Sequence, residues 1–250
     1  MDDIQLLIDL HRNTDRQGPG GEAETRLALR LTGLDPAAPL EVADIGCGTG
    51  SSTLLLAREL NAQVTAVDLA REFIDELRNR ADEQGLADRI TARVASMDDL
   101  PFEDASFDLV WSEGAVYNIG FERGVTEWRR FLRPGGILAV SEITWLTDSR
   151  PAELDRYWSE AYPEIDTASA KLSVLERAGY TPVGYFVLPE RCWLDHYYLP
   201  LERGFESFLE SHAHSAKART LLQAEREEIA FYREYRRYFS YGFYIARKQA

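Results

Sequence analysis

The chain has 250 residues, 45% of them hydrophobic and 28% charged, and a net charge of -14 from 28 basic and 42 acidic residues. That length suits one large domain with a sizeable core, and that acidity repels phosphate backbones, which disfavours a nucleic-acid substrate. Cys47 and Cys192 are far apart and show neither a disulfide framework nor metal-ligand spacing, and the acidic start Met1-Asp2-Asp3 is unlike a secretory signal, so a cytoplasmic protein with no membrane attachment and no metal is expected.

In chain order, Ile4 to Leu10 reads as a short amphipathic helix, and Asn13 to Gly21 (NTDRQGPGG) as an irregular glycine-rich loop. A helix is expected from Glu22 to Thr32, stopped by Gly33 and Pro36. From Glu41 onward, strand-like runs (42–45, 64–68, 90–95, 107–112, 137–142) alternate with helical runs (52–60, 71–83, 121–132). Such alternation predicts a doubly wound α/β domain, with parallel strands and crossover helices on both faces. Arg133-Pro134-Gly135-Gly136 reads as a tight turn into the fifth strand. Beyond it, helices are expected over 150–162 and 167–178, with Gly179 as the cap. A sixth strand then covers 180–188 and a seventh 238–246. The helical, aromatic-rich segment 189–237 between them is too long for a loop and reads as a lid.

The richest chemistry lies in Glu41-Val42-Ala43-Asp44-Ile45-Gly46-Cys47-Gly48-Thr49-Gly50. Alternate glycines let backbone N–H groups approach a ligand, and the loop runs into a helix N-terminus that attracts a negative group. Asp68, at the end of the second strand, can accept both hydroxyls of a ribose, with Leu69 beside it. A dinucleotide loop of the form G-x-G-x-x-G needs a third glycine where this chain has Ser51.

The G-x-G-x-G spacing after Asp44 resembles the first motif of class I S-adenosylmethionine (SAM)-dependent methyltransferases, of the type that includes the ubiquinone/menaquinone-biosynthesis enzymes. Ser96-Met97-Asp98-Asp99-Leu100-Pro101-Phe102 resembles the family's adenine-binding segment, with Ser96 where many relatives carry aspartate. Phe107 to Ser112 resembles its fourth strand, and Leu132 to Gly136 its "LRPGG" turn. The resemblance covers residues 40 to 142. It implies a Rossmann-like seven-stranded sheet in the order 3-2-1-4-5-7-6, with strand seven antiparallel and in an edge role, and SAM as cofactor. The cofactor contacts it implies are Asp44, Gly46, Cys47, Gly48, Gly50, Asp68, Leu69, Ser96, Met97, Asp98, Ser112 and Glu113. Arg16 and Gly18 join them if the N-terminal loop closes over SAM, as the same segment does in related enzymes; a solvated linker is the competing reading.

Acceptor-facing groups are expected just past the fourth strand. Glu113 reads equally as a base or as a cofactor contact, and Tyr117 and Asn118 as pocket lining or helix cap. His11 and His196 are the histidines placed to serve as a base, although each alone is more often structural; His212 and His214 read as solvated. Trp145, Trp193, His196 and Tyr197 are expected on the acceptor wall, with the remaining lid aromatics in the core. The expected organisation is one domain over 1–250: a helical cap and closing loop (1–36), a SAM-binding core (37–188), the lid (189–237) and a last strand (238–250). The expected activity is methyl transfer to an N or O atom, or a C atom, of a small-molecule acceptor, with a homodimer as one option. A SAM-binding protein without turnover, and a dinucleotide oxidoreductase on the same topology, are the alternatives.

Overall fold

The computed structural model describes residues 3–249, so Met1 and Asp2 of the acidic start lie outside the described residues. The elements run α1 (Asp3–His11), α2 (Glu22–Thr32), β1 (Leu40–Ile45), α3 (Ser51–Glu59), β2 (Ala62–Asp68), α4 (Arg71–Glu83), β3 (Ile90–Val94), β4 (Phe107–Glu113) and α5 (Phe121–Trp128). They continue with β5 (Leu132–Trp145), α6 (Ala152–Ala161), β6 (Asp166–Thr167), α7 (Ala168–Arg177), β7 (Tyr180–Val187), α8 (Glu190–Trp193), α9 (Leu199–Ser211), α10 (Ala216–Tyr235) and β8 (Phe239–Lys248). The sheet order is β3-β2-β1-β4-β5-β8-β7, with β6 pairing only the end of β5. This is the expected seven-stranded order with one two-residue strand added, too short to leave a pattern in the sequence.

Strand side chains alternate between faces, and here the alternation feeds two cores. Val42, Leu109, Trp111, Ile137 and Ala139 enter the core shared with α3, α4 and the segment α8–α10. Ala43, Ile45, Val110, Leu138 and Val140 enter the other, beneath Phe121, Val125 and Trp128 of α5 and Leu175 of α7. Both faces are covered, as a parallel sheet requires.

Three local expectations change. The last strand is not an edge: β8 pairs antiparallel with β5 on one side and β7 on the other, and Phe239 to Ala246 are all buried. Its aromatic content serves burial, and β7 forms the edge. The Arg133–Gly136 turn is instead part of β5, where the pairing with β4 shifts register between Phe107 and Leu109. Gly135 has φ +76 there, and a Cβ on Gly136 would come within 3.0 Å of the Arg133 carbonyl oxygen, so the two glycines admit an irregular ladder rather than a reversal. Finally, α8 passes into a π-helical turn, Leu194–Tyr198, before α9. Helix α1 packs on α9 and α10, which brings the N-terminal helix against the segment between β7 and β8. Among the described residues, no helix is long and apolar enough to cross a membrane.

Candidate cofactor and acceptor site

The glycine loop joins β1 to α3 with Gly46, Gly48 and Gly50 at φ +74, +54 and +92, a region that side chains disfavour. A Cβ would meet Ala115 at Gly46, the Gln17 side-chain oxygen at Gly48 and Leu77 at Gly50. The glycines therefore admit protein neighbours as well as a ligand, and Gly50 is a packing position against α4. Gly48 N–H donates to Asp68 Oδ2 at 2.9 Å, and Ala70 N–H to Asp68 Oδ1 at 3.0 Å. Burial raises the Asp68 carboxyl above its ordinary value, against these stabilising N–H contacts.

Residues 12–21 fold back onto this loop. Thr49 N–H donates to Gln17 Oε1 at 2.8 Å, Gln17 Nε2 donates to Thr49 Oγ1 at 3.1 Å, and the Ser51 hydroxyl donates to the Asp15 carbonyl. Arg16 Nη1 donates to Glu113 Oε2 at 2.7 Å and Nη2 to Thr25 Oγ1 at 3.2 Å. Thr25 and Trp111 both donate to Glu113 Oε1, at 2.7 and 3.0 Å. Glu113 is thus held by three donors, one of them cationic. The carboxylate is an anchor for the N-terminal loop, and its oxygens are occupied where a base would need them free.

A cavity of about 600 Å³ lies under this loop, within the size range of small-molecule sites. Of the residues expected to contact cofactor, Arg16, Gly18, Gly46, Cys47, Gly48 and Asp68 line it, as do Leu69, Ser96, Met97, Asp98 and Glu113. Asp98 also pairs with Arg123 at 2.6 Å. Burial pushes the Cys47 thiol well above its usual value, so it lines the cavity as an inert group. On the acceptor side His11, Tyr117, Asn118 and Tyr197 line the same cavity.

Six expected residues lie outside it. Asp44 is fully buried behind the loop, its Oδ2 accepting from Ser52 and Thr53 at 2.8 and 2.6 Å, and burial lifts its carboxyl to about 7. Gly50 packs on Leu77, and the Ser112 hydroxyl braces β4 to β1 by donating to the Ile45 carbonyl at 2.8 Å. Trp145 is buried against Phe239 and beneath the Arg150 guanidinium. Trp193 stacks on Tyr232 at 4.3 Å and donates from its indole nitrogen to Ser240 at 3.0 Å. It joins the lid to the sheet as core. His196 sits with Nδ1 2.9 Å from the Gly20 carbonyl, beside Glu24 and Cys192, and the ligand atoms of these three lie within 4.8 Å of one another. Metal-ligand spacing in the sequence did not reveal this cluster, because Glu24 joins it from 168 positions before Cys192. Arg191 pairs with Glu24 Oε1, while Glu24 Oε2 is buried without a hydrogen-bond partner.

The cavity also recruits residues that no motif marked: Leu7 and Ile8 of α1, Asp15 and Gln17, Phe73 of α4, and Glu225 and Glu228 of α10. Their signal is tertiary, except for Asp15 and Gln17, which sit inside the loop already singled out. His11 is 6% exposed, its Nδ1 has no hydrogen-bond partner, and its Nε2 lies 3.9 Å from Glu225 Oε1.

Residues 42–136 match a family described as a methyltransferase domain. The ubiquinone/menaquinone biosynthesis C-methyltransferase UbiE of Geobacter sp. (strain M21) is 30% identical over 172 residues, 66% of this chain and 70% of that protein. Methyltransferase GfsG of Streptomyces halstedii is 35% identical over 127 residues, 50% of this chain and 46% of that protein. The match thus spans about half the length of the latter relative. Among solved structures, a SAM-dependent methyltransferase from Geobacter sulfurreducens in complex with S-adenosylhomocysteine superposes with TM-score 0.85 at 21% identity, covering 97% of each chain. That likeness speaks for the fold.

Proposed function

Because the chain belongs to the class I SAM-dependent methyltransferases, we propose that it moves the methyl group of SAM to an N or O atom, with C also open, of a small-molecule acceptor. The observation that carries this reading is one cavity that joins Asp68 and Met97 with His11 and Tyr197 beneath the N-terminal loop. The donor set fits the cofactor. Each Asp68 oxygen accepts one backbone N–H and retains capacity for a ribose hydroxyl. Met97 touches the Gly46 position and offers an apolar surface for a base, next to the Asp98 carboxylate.

Bound SAM supplies an activated methyl group on a sulfonium centre, the hard part of the chemistry. The protein's share is to hold the acceptor in line and to exclude water. Residues 12–21, latched through Gln17 and the Arg16–Glu113 pair, exclude water from the cofactor side. The segment 189–237 acts as the lid. Where the acceptor carries a proton, His11 Nδ1 takes it, and the Glu225 carboxylate stabilises the resulting imidazolium. With Glu113 engaged, Tyr117 orients the acceptor from the opposite wall and His196 holds the loop through Gly20.

Tritiated-methyl transfer from SAM into a metabolite extract tests the activity. SAM binding without transfer would leave a SAM-holding protein, and binding of NADH but not SAM would overturn the reading. Asp68→Ala should raise the SAM dissociation constant roughly 10- to 100-fold, since hydrogen bonds to charged groups contribute about 1.5–3 kcal/mol; an unchanged constant would remove Asp68 from the site. A cytoplasmic location is supported by two buried free cysteines, and a small acceptor rather than nucleic acid by the net charge of -14. Light scattering decides between a monomer and the homodimer option.

A further inference from the structure

The acceptor end of the cavity carries charge that the methyltransferase reading leaves unexplained. Glu225 and Glu228 both line it from α10. Residues three apart share one helix face with Cβ atoms about 5–6 Å apart, so the two carboxylates crowd one wall. Of the other charged groups of the cavity, Arg16 pairs with Glu113, Asp15 with Arg80 and Asp98 with Arg123, while Asp68 at the cofactor end is held by the backbone N–H groups of Gly48 and Ala70. Among the described residues, neither Glu225 nor Glu228 pairs with a lysine or arginine. Glu225 has only the His11 ring at 3.9 Å, and Glu228 accepts from the Tyr198 hydroxyl at 3.1 Å. Burial first, and the Glu225 charge second, raise the Glu228 carboxyl above its ordinary value.

Two like charges in a partly desolvated chamber are a standing cost that a cation entering between them relieves. The remaining wall suits such a guest. Tyr197, stacked on His11, and the half-exposed Tyr117 both line the cavity, and aromatic rings are favourable neighbours for an ammonium. His11 lines the same space, with its Nδ1 buried and without a hydrogen-bond partner.

We propose that the acceptor is an amine that enters as its ammonium cation, seated against Glu225 and Glu228 and bounded by Tyr197, Tyr117 and His11, and that it yields one proton to the Glu225–His11 pair so that the freed nitrogen lone pair takes the methyl group as the S–CH3 bond breaks. This deepens the methyltransferase reading and rests on it. A carboxylate acceptor is repelled by the same wall, and a neutral alcohol gains only ordinary hydrogen bonds there.

The test uses the full-length protein saturated with S-adenosylhomocysteine and matched triplets of probes: 2-phenylethylamine, 2-phenylethanol and phenylacetate, then octylamine, octanol and octanoate. Calorimetry should show each amine binding at least about tenfold tighter than its alcohol, with the carboxylates weakest. Glu228→Gln should remove that preference by weakening amine binding at least about tenfold more than alcohol binding; Glu225→Gln serves as the second variant, and melting curves check that both fold. Equal or tighter binding of alcohols or acids would overturn the proposal, as would amines that fail to bind at millimolar concentration or a preference that survives both substitutions. A competing role for the carboxylates is to serve the sulfonium charge of the cofactor. In that case Glu228→Gln would lower affinity for SAM relative to the uncharged S-adenosylhomocysteine, and the proposal would fall; an unchanged ratio supports it. Failure of S-adenosylhomocysteine to bind wild type would instead indict the methyltransferase reading itself.

Discussion

Replacing Arg16 by alanine strips Glu113 of its counter-charge while leaving Thr25 and Trp111 as its only donors. The pair is 2.7 Å apart, with side chains 11% and 7% exposed, so solvent does little to replace the lost partner. Orphaning one member of a buried pair costs roughly 3–5 kcal/mol. A domain of this size shifts by about 2–4 °C per kcal/mol, so Arg16→Ala should lower Tm by roughly 6–20 °C. Adding Glu113→Gln removes the orphaned charge and keeps an amide oxygen to accept from Thr25 and Trp111. The double variant should therefore recover most of the loss. Differential scanning calorimetry of wild type, both single variants and the double variant completes the cycle. A single Arg16→Ala variant melting within about 2–4 °C of wild type would show a pair of the weak, solvated kind and refute the anchor role. Strict additivity of the two substitutions would refute it equally.

The Gly48 position offers a second test of the same latch. Gly48→Ala places a Cβ 2.1 Å from Gln17 Oε1 at φ +54, so Gln17 must leave and the backbone takes on about 1–2 kcal/mol of strain. Trypsin should then cut after Arg12 and Arg16 faster than in wild type, as it should in Gln17→Ala; unchanged cleavage would mean that the loop is held elsewhere. Asp44 makes a prediction about pH. Its folded carboxyl is raised to about 7 by burial, while the unfolded one titrates near 3.9, so the folded chain holds the extra proton between those values. Stability is therefore lost as pH rises from about 4 to about 7, by an amount on the order of 4 kcal/mol for this group. Denaturation of Asp44→Asn should show a visibly flatter profile over that window. An identical slope would mean that Asp44 ionises freely behind the loop.

Much of the cofactor half was legible because its information is local. The alternation of apolar strands and amphipathic helices follows from backbone periodicity, and the positive-φ glycines, Asp68 and Met97 fall within short runs that announce a strand-to-helix turn and a strand end. Residue type alone did not separate contact from support. Asp44, Gly50 and Ser112 sit in the same runs yet face Ser52, Leu77 and Ile45, because the elements packed around the loop, not residue type, decide which side of it is covered. The lid shows the same limit more sharply: Trp193, His196 and Tyr197 are near neighbours, but only Tyr197 reaches the cavity, a choice made by helix phase through the π-helical turn.

The sequence by itself determined the alternation of strands and helices, the glycine loop and the identity of the N-terminal segment as something other than regular structure, since each depends on short-range periodicity or on glycine's freedom at positive φ. The sheet order came only through the family resemblance. Tertiary structure alone decided the chemistry of the acceptor end. Glu113 could be read as base or cofactor contact until Arg16, 97 residues earlier, was seen to engage it, and Glu225 and Glu228 carried no motif until α10 packed against α1 and set Glu225 beside His11. Charges act through space at a few ångströms, and no spacing along the chain encodes which of them the fold will bring face to face.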